Sequence, residues 1–157
     1  MPFTYANIND RSALVQGETF FDLATVSAGA VSMDAMEAIQ DSHLLHHYAA
    51  QLDDYEPSGI IAEADVSAPI PHPRNSFGVG LNYQLHVEEA ASKTPSTPMV
   101  FTKFPSCISG PTDDVIMRSD KCDYEGELVV VIGKDGKDIK REEAWSCLLY
   151  TSPSPRD

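Results

Sequence analysis

The sequence predicts an α+β chain that is mainly β and built in two parts. Three observations predict it. Short apolar runs bounded by Gly, Pro and Asp-Gly recur from Ser12 to Ile132, the pattern of strands and turns. One longer stretch, residues 33–52, carries apolar residues at helical spacing. Pro69, Pro71 and Pro73 then form an extended linker, because each proline pushes its predecessor out of the helical region. The linker divides a small α/β part, residues 1–68, from a strand-rich part, residues 69–146.

In the first part, Ser12–Val15, a Gln16-Gly17 turn and Thr19–Leu23 read as strand, turn, strand. Met33, Met36, Ile39, Leu44, Leu45 and Tyr48 mark one face of the predicted helix, with Ser32 as its N-cap. Pro57-Ser58-Gly59 ends it. In the second part, Ser76–Leu81 reads as a strand, Tyr83–Ala91 as a short helix and Met99–Lys103 as another strand. Cys107–Gly110 and Asp114–Met117 read as short β pieces, and Glu127–Ile132 as an almost continuous apolar strand. Asp135-Gly136 is a hairpin-turn signal. Arg141–Trp145 reads as the start of a helix.

Composition narrows the function. The chain has 157 residues and a net charge of −13, from 11 basic and 24 acidic side chains. That balance argues against nucleic acid or an anionic membrane as partner, since phosphate binding needs a basic face. It fits a protein that holds cations. The N-terminus lacks a basic segment followed by an apolar run, and no stretch is long and apolar enough to span a bilayer, so the expected location is cytoplasmic. Cys107, Cys122 and Cys147 make an odd count without a Cys-x-x-Cys pair, which suggests neither a disulfide framework nor a zinc site.

The chemistry concentrates in two motifs. Asp123-Tyr-Glu-Gly-Glu127 places three carboxylates at alternate positions ahead of an apolar run. On a strand these side chains share one face, and crowding like charges there is unfavourable unless a cation intervenes. Hard divalent cations prefer such oxygen ligands. A Glu-x-Glu pair is otherwise most often a solvated face. Upstream, Gly78–Glu89 sets His86 three residues before Glu89. That spacing fits an exposed i,i+3 pair or an acid/base dyad. His43, His46 and His47 read as surface histidines. Gly78-x-Gly80 lacks the third glycine of a dinucleotide fingerprint.

Gly80-Leu-Asn-Tyr83 with His86 and Glu89, Phe101–Ser106, Gly110-Pro111 and Tyr124–Gly133 together closely resemble the fumarylacetoacetate hydrolase family. The resemblance covers residues 69–145 strongly and 11–68 more loosely. It implies a mixed β-sandwich roll, here incomplete, preceded by a small N-terminal domain. It also implies Mg²⁺, Mn²⁺ or Ca²⁺ as cofactor and a small diketo or 2-oxo acid as substrate, with a homodimer at full length. Glu125 and Glu127 would be metal ligands, His86 and Glu89 would activate water, and Lys103 would neutralise a substrate carboxylate. Asp123 would sit near the metal without holding it. The family's third metal ligand and a later lysine are not reached.

The implied reaction is hydrolysis of a C–C bond in a β-diketo acid of the acylpyruvate or fumarylpyruvate type. Water activated at His86 attacks the distal carbonyl. The alternatives are an isomerase, decarboxylase or lyase acting on a 2-oxo acid, or a non-catalytic cation-binding domain. Residues 147–157 have a separate reading. One set of codons for this peptide matches a transposase-based sequencing adapter, so the segment is expected to be a foreign tail. On that reading the native gene continues beyond about Trp145. The 157 residues by themselves would then be inactive and poorly stable.

Overall fold

The computed structural model describes residues 3–150. The first part is a five-stranded antiparallel sheet. Its strands are β1 (Thr4–Ile8), β2 (Arg11–Gln16), β3 (Thr19–Asp22), β4 (Gly59–Ile60) and β5 (Val66–Ser67), in the order β4-β3-β2-β1-β5. The β2–β3 hairpin forms as the sequence predicts. Gly17 supplies the positive φ of +60° that its turn needs, and Gln16 pairs with Thr19 across it. Strand β1 lies in a stretch to which the sequence reading assigned no element.

Strand alternation gives this sheet two apolar faces. Leu14 and Phe21, paired across the hairpin, point into the main core with Phe3, Leu23, Val31, Leu45 and Leu52. Ala13 and Phe20 point the other way and pack with Ile8. Burying a side chain such as Leu14, which is fully inaccessible, stabilises by roughly 1.5–3 kcal/mol. The hydroxyl of Tyr5 donates to the Ala35 carbonyl at 2.7 Å, tying β1 to the helical layer. Burial, helped by the charge of Asp34, pushes the Tyr5 phenol well above its ordinary range.

The helix predicted over 33–52 is two helices after the one-turn α1 (Leu23–Val26): α2 (Ala35–Ala38) and α3 (Ser42–Ala49). The break follows from two caps. Asp34, not Ser32, caps α2 by accepting the N–H groups of Met36 and Glu37, and Asp41 caps α3 by accepting that of Leu44. Ser32 acts one step outside, accepting from the Asp34 N–H and donating to Glu37. The buried face is Ala35, Ala38 and Leu45, whereas Met33 is half exposed.

The second part holds less regular structure than its sequence predicts. Strand β6 (Ser76–Gly80) pairs antiparallel with β7 (Met99–Lys103), and helix α4 (Gln84–Glu89) lies between them in the chain. Cys107–Gly110 and Asp114–Met117 are not strands, and Pro105–Cys107 is a 3₁₀ turn. The strand expected over 127–132 shrinks to β8 (Val131–Ile132). No neighbour pairs with 123–130 among the described residues, and Leu128, Val129 and Val130 are exposed. A strand needs ladder partners for its backbone, and an apolar run by itself does not supply them.

Asp135-Gly136 does not close a tight hairpin. β8 pairs instead with β9 (Leu148–Tyr150), across a connection that includes a 3₁₀ segment, Arg141–Cys147, where an α-helix was expected. Strand β9 falls in the segment read as a foreign tail. Cys147 and Leu149 are buried, and Leu149 joins the main core beside Val131. The remainder of that segment, 151–157, lies outside the described residues.

Candidate functional site

Helix α4 and the Asp123–Leu128 segment meet, and they bring the two sequence motifs together. The chain leaves β6 at Gly80 and turns at Leu81, whose φ is +52°. This left-handed conformation is uncommon for a side chain of that size. Tyr83 then opens α4, its carbonyl accepting the Val87 N–H at 3.1 Å. Val87 is the buried residue of α4, which leaves Gln84, His86, Glu88 and Glu89 facing outward.

Two contacts join this helix to the carboxylate segment. His86 Nε2 lies 3.8 Å from Glu125 Oε1, with side chains 48% and 63% exposed. That is an ion-pair distance when the imidazole is protonated, and too long for a hydrogen bond. The Leu128 N–H donates to the Tyr83 hydroxyl at 2.9 Å, linking residues 45 apart in sequence.

The remaining sequence-predicted residues are not gathered with them. Glu89 makes no hydrogen bond or ion pair to His86, so the dyad expected within α4 is replaced by the cross-segment pair His86–Glu125. Glu88 takes the Gln84 amide at 2.8 Å along the helix, while His86 faces the incoming loop. Lys103 ends β7 opposite Ser76, exposed, and its ammonium has no carboxylate partner among the described residues. The crowding of Asp123, Glu125 and Glu127 on one strand face does not occur. The segment has no regular structure, its side chains face water, and Asp123 Oδ1 turns to the N–H of Tyr124 at 2.8 Å. Without a ladder the period of two is never imposed.

The donors present fit a divalent cation in kind but do not complete its ligand set. Carboxylate oxygens of Glu125 and Glu127 suit a hard cation. Among the described residues, however, no three His, Cys, Asp or Glu side chains lie together as a metal-ligand group. Tyr83 is the residue that sequence reasoning missed. It stood inside the Gly80–Tyr83 motif without a role, and its spacing to His86 was the available signal.

Comparison with known proteins now bears on this arrangement. The family profile described as "Fumarylacetoacetate (FAA) hydrolase C-terminal" matches residues 75–151. Residues 75–151 belong to the fumarylacetoacetate hydrolase family. The matched region contains α4, β6 to β9 and the Asp123–Glu127 segment. A fumarylacetoacetate hydrolase domain-containing protein 2 homolog from Dictyostelium discoideum is 44% identical over 86 residues, 54% of this chain and 28% of that protein. The human mitochondrial oxaloacetate tautomerase FAHD2A is 42% identical over 87 residues, again 54% of this chain and 28% of the relative. The Bacillus subtilis oxaloacetate tautomerase YisK is 43% identical over 91 residues, or 54% and 30%.

The alignments thus span little more than a quarter of the curated relatives' length. Solved structures extend the likeness to the fold of almost the whole chain. An HpcE-like protein from Mycobacterium smegmatis superimposes with a TM-score of 0.73 at 30% identity, covering 92% of this chain and 51% of that one. Maleylpyruvate hydrolase from Sphingobium sp. SYK-6, solved with manganese(II) and pyruvate, gives 0.70 at 24% identity, with coverage of 92% and 54%. The fold is therefore the mixed α+β architecture of fumarylacetoacetate hydrolase proteins. No helix among the described residues is long and apolar enough to cross a membrane.

Proposed function

We propose that this chain carries part of the active site of a divalent-cation-dependent enzyme acting on small 2-oxo acids, with His86 as its proton-transfer group. The observation that carries the reading is the approach of His86 to Glu125 at 3.8 Å, because it joins two motifs that the sequence presents separately. Glu125 and Glu127 would hold the cation, whose chemistry when bound is to polarise a carbonyl and offset the negative charge that develops on its oxygen. Asp123 lies outside that ligand pair. The His86 and Glu125 side chains are both open to solvent, so a small acid can reach Nε2 directly.

Within this class the proposal is tautomerisation of a 2-oxo acid: His86 takes a proton from the carbon beside the keto group and delivers it to the enolate oxygen, and the reverse transfer ketonises the enol. The 42–43% identity to two proteins named oxaloacetate tautomerases, over 87 and 91 residues, favours this step. Hydrolysis of a β-diketo acid is the second reading. It is favoured by the fold shared with maleylpyruvate hydrolase and needs the same base to act on water. Lys103 is proposed to pair with a substrate carboxylate in either reaction. Glu89, exposed on α4 three residues after His86, is proposed to assist it through a change of side-chain rotamer.

The test assays the 157-residue chain and the product of the complete source gene side by side, with Mn²⁺ and Mg²⁺. Ketonisation of enol-oxaloacetate is followed by ultraviolet absorbance, and pyruvate release is measured from an acylpyruvate. His86→Ala is expected to lower the metal-dependent rate by about 10²–10⁴-fold. Unchanged rates in His86→Ala would remove the reading. Pyruvate release without ketonisation would move it to the hydrolase. The 157-residue chain by itself is proposed to be inactive, since among the described residues no three His, Cys, Asp or Glu side chains lie together as a ligand group.

A further inference from the structure

We infer that Tyr83 is a positioning residue of this site: its hydroxyl clamps the carboxylate segment to the start of α4 and thereby sets the distance between His86 and Glu125. The inference rests on the site reading given above and deepens it. Tyr83 makes two connections at once. Through its backbone carbonyl it accepts the Val87 N–H and starts the helix that carries His86. Through its side chain it accepts the Leu128 N–H at 2.9 Å, three residues beyond Glu125.

The segment has little else to hold it. Residues 123–130 belong to no strand and are exposed throughout. Apart from the pairing of Asp123 with the N–H of Tyr124 beside it, Tyr83 supplies the side-chain hydrogen bond that ties this segment to the chain around it. The His86–Glu125 approach is a long electrostatic contact between half-exposed groups, too weak to order a loop by itself. Gly126, between the two glutamates, has open space where a Cβ would stand and adds no packing. A phenol is suited to the task. Its ring is stiff, with few rotamers to lose, and its oxygen accepts a backbone N–H without introducing charge beside the carboxylates.

The left-handed turn at Leu81 is part of the same device. It falls within the three residues between β6 and α4, two positions before Tyr83. Backbone conformations of this kind persist where surrounding contacts hold them in place.

The test compares Tyr83→Phe with the parent chain. The substitution keeps the ring and removes the acceptor. By solution NMR at one fixed pH, amide exchange at Leu128 is expected to quicken by about fivefold to tenfold, the usual consequence of losing one hydrogen bond. The proton–proton contact between the His86 ring and the Glu125 side chain is expected to disappear. Signals from β1–β3 should remain unchanged, which separates loss of the clamp from loss of the fold.

Unchanged exchange at Leu128, or a His86–Glu125 contact that survives in the variant, would overturn the inference. So would absence of that contact in the parent chain. Mn²⁺ titration of both proteins separates this inference from the function it rests on. A parent chain that shows the clamp but binds no Mn²⁺ defeats the metal-site reading and leaves Tyr83 to be judged on the two NMR signals. Where the parent does bind, about tenfold weaker Mn²⁺ affinity is expected in Tyr83→Phe, and equal affinity counts against the positioning role.

Discussion

Asp22 is the residue on which the first part of the molecule turns. Its carboxylate receives Arg11 Nε at 2.5 Å and Nη2 at 3.0 Å, and also the N–H and hydroxyl of Thr25, whose helix it caps. These donors, the guanidinium first, hold its carboxyl at about 2 although partial burial opposes them. A depressed native value makes the sign definite. The stabilisation is fully present above the unfolded value of about 3.9 and is lost as pH falls toward 2. A shift of that size corresponds to about 2 kcal/mol, reduced somewhat because Arg11 is partly open to solvent. Asp22→Asn should therefore lower stability by about 1–2 kcal/mol at pH 7 and flatten the dependence on pH between about 5 and 2. Denaturant unfolding at a series of pH values measures both. Equal losses at pH 7 and at pH 2 would show that charge is not the cause.

Elements in this chain begin and end where single side chains decide. Asp34 and Asp41 cut one apparent helix into two, because each offers its carboxylate to N–H groups that a continuous helix would leave to the preceding turn. Asp41→Ala should destabilise by about 1 kcal/mol, read as a drop in melting temperature, whereas Asp41→Asn should cost little. The closing strand pair has a different control. At Gly133 a Cβ would stand 2.6 Å from Leu149 Cα, which is backbone and cannot step aside. The glycine is thus required by the close approach of β9, and its N–H donates to the Cys147 carbonyl at 2.9 Å. Gly133→Ala is expected to detach β9 and free the Cys147 thiol, which is buried in the parent. Faster reaction of Cys147 with a thiol reagent, resolved by peptide mapping, would show it. An unchanged rate would mean that the strands simply move apart.

The whole molecule divides into a packed half and an open one. Its larger core cluster draws on β2, β3 and the helices, and among the described residues it reaches the second part through Leu149 and Val131. Beyond that, Phe77, Val100 and Phe101 on the β6–β7 pair, Val115 to Met117, and Leu128 to Val130 are all exposed. Apolar surface on this scale favours association. The chain is expected to bind a hydrophobic dye and to associate as its concentration rises. Ile116→Lys with Val129→Lys should reduce both while changing stability by less than about 0.5 kcal/mol. Light scattering and unfolding measured together check this, and unchanged association would place the adhesive surface elsewhere.

The legible parts of this protein were those whose signals are local. A Gly at a tight turn, an alternating hairpin and strands 76–80 and 99–103 depend on neighbours within a few residues, and each forms. The family likeness was legible for the same reason, since it rests on short motifs kept in order. His86 and Glu125 were both nameable from those motifs. Their partnership was not, because Glu89 stands closer to His86 in sequence and only folding brings Glu125 across from another segment. Leu128–Val130 shows the converse: an apolar run states a preference for burial, but a strand exists only where another backbone answers its N–H and C=O groups. Sequence alone therefore determined the β2–β3 hairpin, strands β6 and β7, the family likeness and the kinds of chemistry available. Tertiary structure decided which side chains meet, because contacts between distant segments depend on the whole path of the chain.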